Sequence, residues 1–296
     1  MGVIVGIYGR VLNAEELQIV SNLIIALEKE SIEYQFYAPF YSKIKERLSI
    51  KSGVNTFNNH EEVASRLSML ISIGGDGTIL SVLALVRDSG VAVAGINTGR
   101  LGFLANISKE SINDVVDQIK ANKLKLEPKS LIHLVSDKDL FGDVFYGLNE
   151  FAIHKNDTSS MIVIHTYIDG DYLNSYWADG LIIATPTGST AYSLSCGGPI
   201  IYPETGCFVI TPVAPHNLNL RPIVVSDSCE ISFKVESRSE QFLCTLDSRS
   251  RNVSSDVSLK VKKANFKINM LRLKEDDFKN TLRNKMMWGL DKRNRG

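Results

Sequence analysis

The sequence predicts an N-terminal α/β domain built on a doubly wound parallel sheet, then an all-β domain, then a terminal helix that packs back on the first domain. Three observations carry this. Through the first third, short apolar runs alternate with stretches of helical periodicity. Around Glu127 and Pro128 the rhythm changes to paired strand patterns with turn signals between them. Last, "DDFKNTLRNKMMWGL" sets Phe278, Leu282, Met286 and Leu290 on one helical stripe. The boundaries read from these changes are 1–126, with 273–296 returning to it, and 127–272.

"GVIVGIY" reads as the first strand rather than a signal peptide, since no basic segment precedes its apolar stretch. Asn13 then stands as N-cap with Glu16 three residues on, the logic of a capping box. Leu17, Val20, Ile24 and Leu27 fall on one face of the helix that follows. "YQFYAP" is read as a second strand, Glu61 to Ser68 as a helix, and a strand ends at Ile73. "TILSVLALVRD" is the next helix and "VAVAGIN" the next strand. "SINDVVDQIKANK" places Ile112, Val115, Val116 and Ile119 together. In the second domain, "MIVIHTYIDGDYLNSYW" is a hairpin about Asp169-Gly170. "EISFKVES" points Ile231, Phe233 and Val235 inward, and "SLKVKKANFKINML" reads as two further strands.

Composition excludes several classes. The 296 residues are 44% hydrophobic and 22% charged, as in an ordinary globular protein. Basic and acidic residues number 33 each, so no basic field is available for nucleic acid or an anionic membrane. Small anionic ligands are still compatible, because a local site binds them without a global field. No apolar run approaches a membrane span, and Gly6 stands where a myristoylation signal requires Ser or Thr. Cys196, Cys207, Cys229 and Cys244 lack CxxC or zinc-like spacing and read as reduced thiols of a cytoplasmic protein.

Two clusters carry chemistry. "ISIGGDGT" follows a strand with Gly74, Gly75, Asp76, Gly77 and Thr78, so main-chain amides can converge on an anion such as phosphate. It is not a Walker loop, for no Lys-Ser/Thr pair follows, and Leu80 stands where a dinucleotide fingerprint needs its third glycine. The plain alternative makes Asp76 an N-cap and Thr78 a first-turn residue. "NTGRLGF" (97–103) falls at the C-terminal end of the next strand, where doubly wound sheets bind ligands. Arg100 in it is either a bracing surface cation or a phosphate clamp, and is grouped with the loop.

The second cluster, "ADGLIIATPTGSTAYSLSCGGPI" (178–200), offers hydroxyls at Thr185, Thr187, Ser189, Thr190, Tyr192, Ser193 and Ser195. These are more donors than a turn uses, and they suit ribose hydroxyls and a pyrophosphate. Tyr192 is equally well read as core. "LNE" pairs the amide of Asn149 with the carboxylate of Glu150; it is either a common strand-end pair or an adenosine clamp. His216 and Arg221 read as structural.

In their order along the chain, "GGDGT", "NTGRLGFL", "LNE", "ADGLIIATPTGSTAYSLSCGGPI" and "LRNKMMWG" resemble the NAD kinase family. The resemblance spans nearly the whole chain, and its long second cluster is far more specific than the GGDG shared with lipid kinases and phosphofructokinases. It implies transfer of a phosphoryl group, usually from ATP with a divalent cation such as Mg²⁺, to the 2′-hydroxyl of NAD's adenosine ribose. By motif, Asp76 matches the residue regarded as the proton acceptor. Gly77, Asn149, Glu150, Thr187, Thr190, Ala191, Tyr192, Ser193, Leu194, Ser195 and Ala214 match NAD contacts. Asp179 matches an acid at the nicotinamide side, in several members completing a neighbour's site, which implies a homodimer or homotetramer. Two departures stand out. Trp177 occupies a position where many members carry Arg or Lys, and "LDSRS" (246–250) replaces the more usual Asp-Gly-Gln, so no contact is carried over there. Two rivals are a lipid kinase of the diacylglycerol or sphingosine type, which would need an apolar entrance, and a non-catalytic dinucleotide sensor, which would not need Asp76.

Overall fold

The computed structural model describes residues 2–10, 13–99, 102–156, 161–273 and 278–286. The chain divides into two compact units, Met1–Pro128 with Ile268–Gly296, and Lys129–Lys267.

The first unit opens with β1 (Ile4–Gly9), α1 (Ala14–Lys29), β2 (Glu33–Tyr37), α2 (Ala38–Ile44) and β3 (Thr56–Phe57). It continues with α3 (His60–Arg66), β4 (Met69–Ile73), α4 (Asp76–Val86), β5 (Ala92–Ile96) and α5 (Ile112–Lys120). The strands run in the order β5-β4-β1-β2-β3 and every pair among them is parallel. Asn13 caps α1 reciprocally: its Oδ1 accepts from the Glu16 amide at 2.8 Å, while Glu16 Oε2 accepts from the Asn13 amide at 3.1 Å. The inward stripe of α1 (Ile19, Val20, Leu23, Ile24 and Leu27) joins Ile112, Val115, Val116 and Ile119 of α5 in one core over β1 and β4. α2 was not anticipated. The strand in "YQFYAP" stops at Tyr37, and Pro39, free of a hydrogen-bonding duty in the first helical turn, opens a helix instead.

The second unit holds β6 (Leu126–Ser136), β7 (Tyr146–Gly147), β8 (Glu150–Lys155), β9 (Ile162–Ile168), β10 (Asp171–Ala178) and β11 (Gly180–Ala184). A short α6 (Tyr192–Ser195) precedes β12 (Cys207–Val213), β13 (Ile223–Ser226), β14 (Ile231–Glu236), β15 (Gln241–Leu246), β16 (Arg249–Ser254) and β17 (Leu259–Leu271). One antiparallel sheet runs β13-β12-β11-β8-β15-β16, and β10-β9-β14-β17 forms another antiparallel run. The β9–β10 turn is the expected two-residue hairpin, with positive φ at Asp169 and Gly170. Ile231, Phe233 and Val235 face a core with Phe151, Phe208 and Phe242. "SLKVKKANFKINML" is one 13-residue strand rather than two, with Ala264 buried in its middle.

The chain's last described element, α7 (Phe278–Met286), belongs to the first unit. Its stripe differs from the expected one. Thr281 is the buried residue, Phe278 and Leu282 are half-buried, and Met286 is exposed. Leu290 lies outside the described residues. Among the described residues no helix is long and apolar enough to cross a membrane, and all four cysteines are free thiols.

Candidate active site

In the first unit the glycine loop joins β4 to α4, and the segment after β5 lies beside it. Gly75 is the helix N-cap and Asp76 the first helical residue, one position later than the capping alternative would have it. Gly74 has φ +148, and a Cβ there would stand 2.3 Å from Thr78 Oγ1, so only glycine allows this turn. The Gly74 amide is committed to the Ile96 carbonyl (3.0 Å) and the Thr78 amide to Gly75 (2.9 Å). Among the described residues the amides of Gly75, Asp76 and Gly77 have no acceptor, as expected of a helix N-terminus. The cradle is therefore narrower than the five-residue motif. Arg100 lies outside the described residues.

The Asp76 carboxylate is held by the loop after β5. Its Oδ1 accepts from the amides of Leu104 (3.1 Å) and Ala105 (2.8 Å), and Oδ2 accepts from Phe103 (3.0 Å). Gly102 makes room for this, because a Cβ at that position would lie 1.9 Å from Asp76 Oδ1. The loop itself is braced by Asn97, whose side chain donates to Ala105 O and accepts from the Gly99 amide. A carboxylate offers about four lone-pair positions. Three are taken, so Oδ2 retains one that no main-chain group occupies. Lys285 Nζ of α7 lies 3.6 Å from that oxygen.

In the second unit a similar clamp was missed. Asp247, in the turn between β15 and β16, accepts from the amides of Leu148 (2.8 Å), Asn149 (2.8 Å) and Glu150 (3.1 Å). Its own amide donates to Glu150 O at 2.9 Å. Arg249, on the far side of the turn, donates to the carbonyls of Val144 and Tyr146. The "LDSRS" segment thus fixes the backbone that presents Asn149 and Glu150. Asp247 stands first in that two-residue turn with a positive φ, which Asp tolerates better than most residues.

Glu150 is 9% exposed, and among the described residues its buried Oε2 has no hydrogen-bond partner. Burial, and then the negative charge of Asp247, push its pKa up to about 8. Burial raises Asp247 as well, but three amides and the Arg249 guanidinium pull it back. Amides and guanidinium favour the charged form of Asp247, whereas burial and the Asp247 charge favour the protonated form of Glu150.

The hydroxyl-rich stretch divides into two sets. Thr185, Ser189 and Ser193 are buried and their hydroxyls serve the fold. Thr185 Oγ1 donates to Leu148 O (2.6 Å), Ser189 Oγ to Pro186 O (2.7 Å), and Ser193 Oγ pairs with Thr211 Oγ1 (2.8 Å). In this structure these three hydroxyls bond within the fold rather than pointing to the surface. Thr190 Oγ1 is turned to Thr187 O at 3.1 Å. Thr187, Ala191 and Leu194 are half-buried, while Tyr192 and Ser195 are exposed. Gly188 packs the stretch against "LNE": a Cβ there would lie 2.0 Å from Asn149 O. The Tyr192 ring stands 5.6 Å from His154, whose pKa burial holds below the ordinary value.

Asp179 forms a 2.7 Å ion pair with Lys155. Both line a cavity of about 690 Å³ with Trp177, His216, Glu236 and Arg238. Ala214, exposed at the end of β12, has φ +44, a conformation rare for a residue with a side chain.

Two family models and near-full-length relatives match this chain. The family models described as ATP-NAD kinase N-terminal domain and ATP-NAD kinase C-terminal domain match residues 5–124 and 148–273. A protein of Cytophaga hutchinsonii named NAD kinase is 47% identical over 292 residues, covering 98% of this chain and 100% of that one. One from Flavobacterium psychrophilum, of the same name, is 44% identical over 98% of this chain and 99% of its own. Among solved structures, yeast NADH kinase complexed with NADH superposes with a TM-score of 0.88 at 21% identity, over 98% of this chain and 89% of that one. An NAD kinase from Archaeoglobus fulgidus in complex with ATP gives 0.73 at 23% identity, over 95% and 99%. At these identities the two structures establish the fold.

Proposed function

Because the chain belongs to the NAD kinase family, we infer that it transfers the γ-phosphoryl group of ATP to the 2′-hydroxyl of the adenosine ribose of NAD, giving NADP. The observation that supports the chemistry is Asp76: a carboxylate fixed by three amides at the head of a glycine loop, with one Oδ2 lone pair uncommitted to the main chain. An alcohol attacking phosphorus must lose its proton and lie in line with the leaving oxygen. Most of the barrier falls through positioning and charge neutralisation. Asp76 Oδ2 receives the hydroxyl proton, and the amides of Gly75, Asp76 and Gly77 hold the donor's anionic tail.

Asn149 and Glu150 take the adenosine. The exposed or half-buried members Thr187, Thr190, Ala191, Tyr192, Leu194 and Ser195, together with Ala214, take the rest of the dinucleotide. Ser193 contributes through its main chain, its hydroxyl being engaged by Thr211. Asp179, in the cavity with Trp177, receives the nicotinamide side, within a homodimer or homotetramer of a cytoplasmic enzyme. No three His, Cys, Asp or Glu side chains among the described residues form a metal cluster. A divalent cation such as Mg²⁺ would be carried by the phosphate oxygens of ATP and would supply charge neutralisation there. The lipid-kinase reading of the glycine loop is set aside, because both family models and the relatives across the whole chain are NAD kinases.

The test is Asp76→Asn, assayed for NADP formation with ATP and Mg²⁺ and, separately, for NAD binding by calorimetry. Turnover is expected to fall by ~10²–10⁴ with the dissociation constant for NAD unchanged. Binding and turnover lost in equal measure would remove Asp76 from the chemistry.

A further inference from the structure

We propose that Lys285, on the returning helix α7, binds the phosphoryl donor and carries the positive charge that meets the transferring phosphoryl group. This rests on the reading of Asp76 as the acceptor of the hydroxyl proton. α7 is set against the glycine loop's neighbour by Phe278, whose ring centroid lies 6.1 Å from that of Phe103, and by the buried Thr281. One turn after Thr281, Lys285 places its ammonium 4.6 Å over the Phe103 ring and 3.6 Å from Asp76 Oδ2. The lysine side chain is 38% exposed and that of Asp76 31%, so both heads reach solvent.

A structural ion pair explains this placement poorly. Asp76 is already satisfied by three amides at 2.8 to 3.1 Å, and a separation of 3.6 Å is too long for a hydrogen bond. Exposed pairs of this kind contribute ~0–1 kcal/mol. The reaction geometry explains it better. A hydroxyl hydrogen-bonded to Oδ2 lies about 2.6–3.2 Å away, and its target phosphorus about 3–3.5 Å beyond. The γ-phosphoryl oxygens then fall within roughly 6 Å of Oδ2, inside the reach of an ammonium standing 3.6 Å from the same atom. There is also a charge requirement. The loop amides supply only partial charges, while Asp76 adds a full negative one beside a polyanion. Among the described residues Lys285 is the cation paired with Asp76, and a lysine serves phosphate as a movable point charge. Held over Phe103, it can leave the carboxylate for the donor without leaving the site.

The decisive variants are Lys285→Met and Lys285→Arg in the full chain. Met keeps the apolar stem on Phe103 and removes only the charge; Arg keeps the charge. Steady-state kinetics with ATP and NAD, inhibition by inorganic tripolyphosphate against ATP, and NAD affinity by calorimetry are measured for each. With Met, kcat/KM for ATP should fall ~10²-fold and tripolyphosphate inhibition should weaken ~10-fold. NAD affinity and melting temperature should stay at the wild-type values, and Arg should restore most of both losses. A Met variant equal to wild type toward ATP and tripolyphosphate overturns the proposal. So does an Arg variant as impaired as Met, or a Met variant that loses NAD affinity in the same proportion. Failure of the Asp76 reading is a separate result, seen as Asp76→Asn retaining turnover whatever the Lys285 variants do.

Discussion

Glu150→Gln is expected to change how stability depends on pH, and the size of the change follows from the site. In the folded chain Glu150 is buried, its Oε2 has no partner among the described residues, and beside it three amides donate to the Asp247 carboxylate. The pKa moves from its ordinary 4.5 up to about 8. In the unfolded chain the side chain releases its proton near 4.5, whereas the folded chain keeps it until about 8. The folded state therefore binds more protons throughout that window, and stability falls as pH rises across it. The contribution is fully present below 4.5 and lost above about 8. At about 1.4 kcal/mol per pKa unit the full loss amounts to ~5 kcal/mol. Glutamine does not titrate, so it lacks this loss while keeping the shape and a hydrogen-bonding head. Urea unfolding of wild type and Glu150→Gln at about pH 5, 7 and 9 reads the difference directly, with other titrating groups cancelling between the two. The variant should gain on wild type by several kcal/mol between the lowest and highest pH. A difference that stays constant across the three would mean that Glu150 is ionised throughout, and the reasoning about its burial beside Asp247 would be wrong.

Two further substitutions test the clamps. Gly102→Ala drives a methyl group to within 1.9 Å of Asp76 Oδ1, so the loop must retreat and its amides release the carboxylate. Turnover should fall at least ~10-fold, since small misplacements of reacting groups are costly, and stability by ~1–3 kcal/mol, read by kinetics and thermal melting. Wild-type values in both would show that the loop holds Asp76 for no purpose. Asp247→Ala leaves the amides of Leu148, Asn149 and Glu150 without their acceptor and should cost ~3–5 kcal/mol in denaturant unfolding. In the surviving folded fraction, KM for NAD should rise more than kcat falls. A loss below ~1 kcal/mol would mean that solvent satisfies those amides as well as the carboxylate does.

Much of the architecture was legible because its signals are local. The Asn13–Glu16 capping box, the apolar face of α5, the Asp169-Gly170 hairpin and the alternation of β14 all lie within a few residues of one another. What escaped depends on partners far along the chain. Nothing near Asp247 announces that its carboxylate will meet amides almost one hundred positions earlier. Nothing in "TPTGSTAYSLS" tells a ligand-facing hydroxyl from Ser193, which spends its own on Thr211. α2 was hidden because its proline opens a helix as readily as it ends a strand. β17 reads as two strands because its 13 residues exceed the usual strand length of about five or six and Asn265, a residue type common in turns, stands near its middle. Asp76 was recognised from the glycines around it. That it would be gripped by the amides of residues 103–105 required knowing which strand end lies beside the loop.

Asp76 and Asp247 share one device: an acid side chain from one stretch gripping three successive peptide N–H groups of another. Every amino acid except proline brings the same N–H to the backbone. Drift at positions 103–105 and 148–150 to any residue but proline therefore keeps the donors. The side-chain half of each partnership rests on its aspartate, with Gly102 leaving room for one of them, and the other half is written in the peptide bond instead of the genetic code.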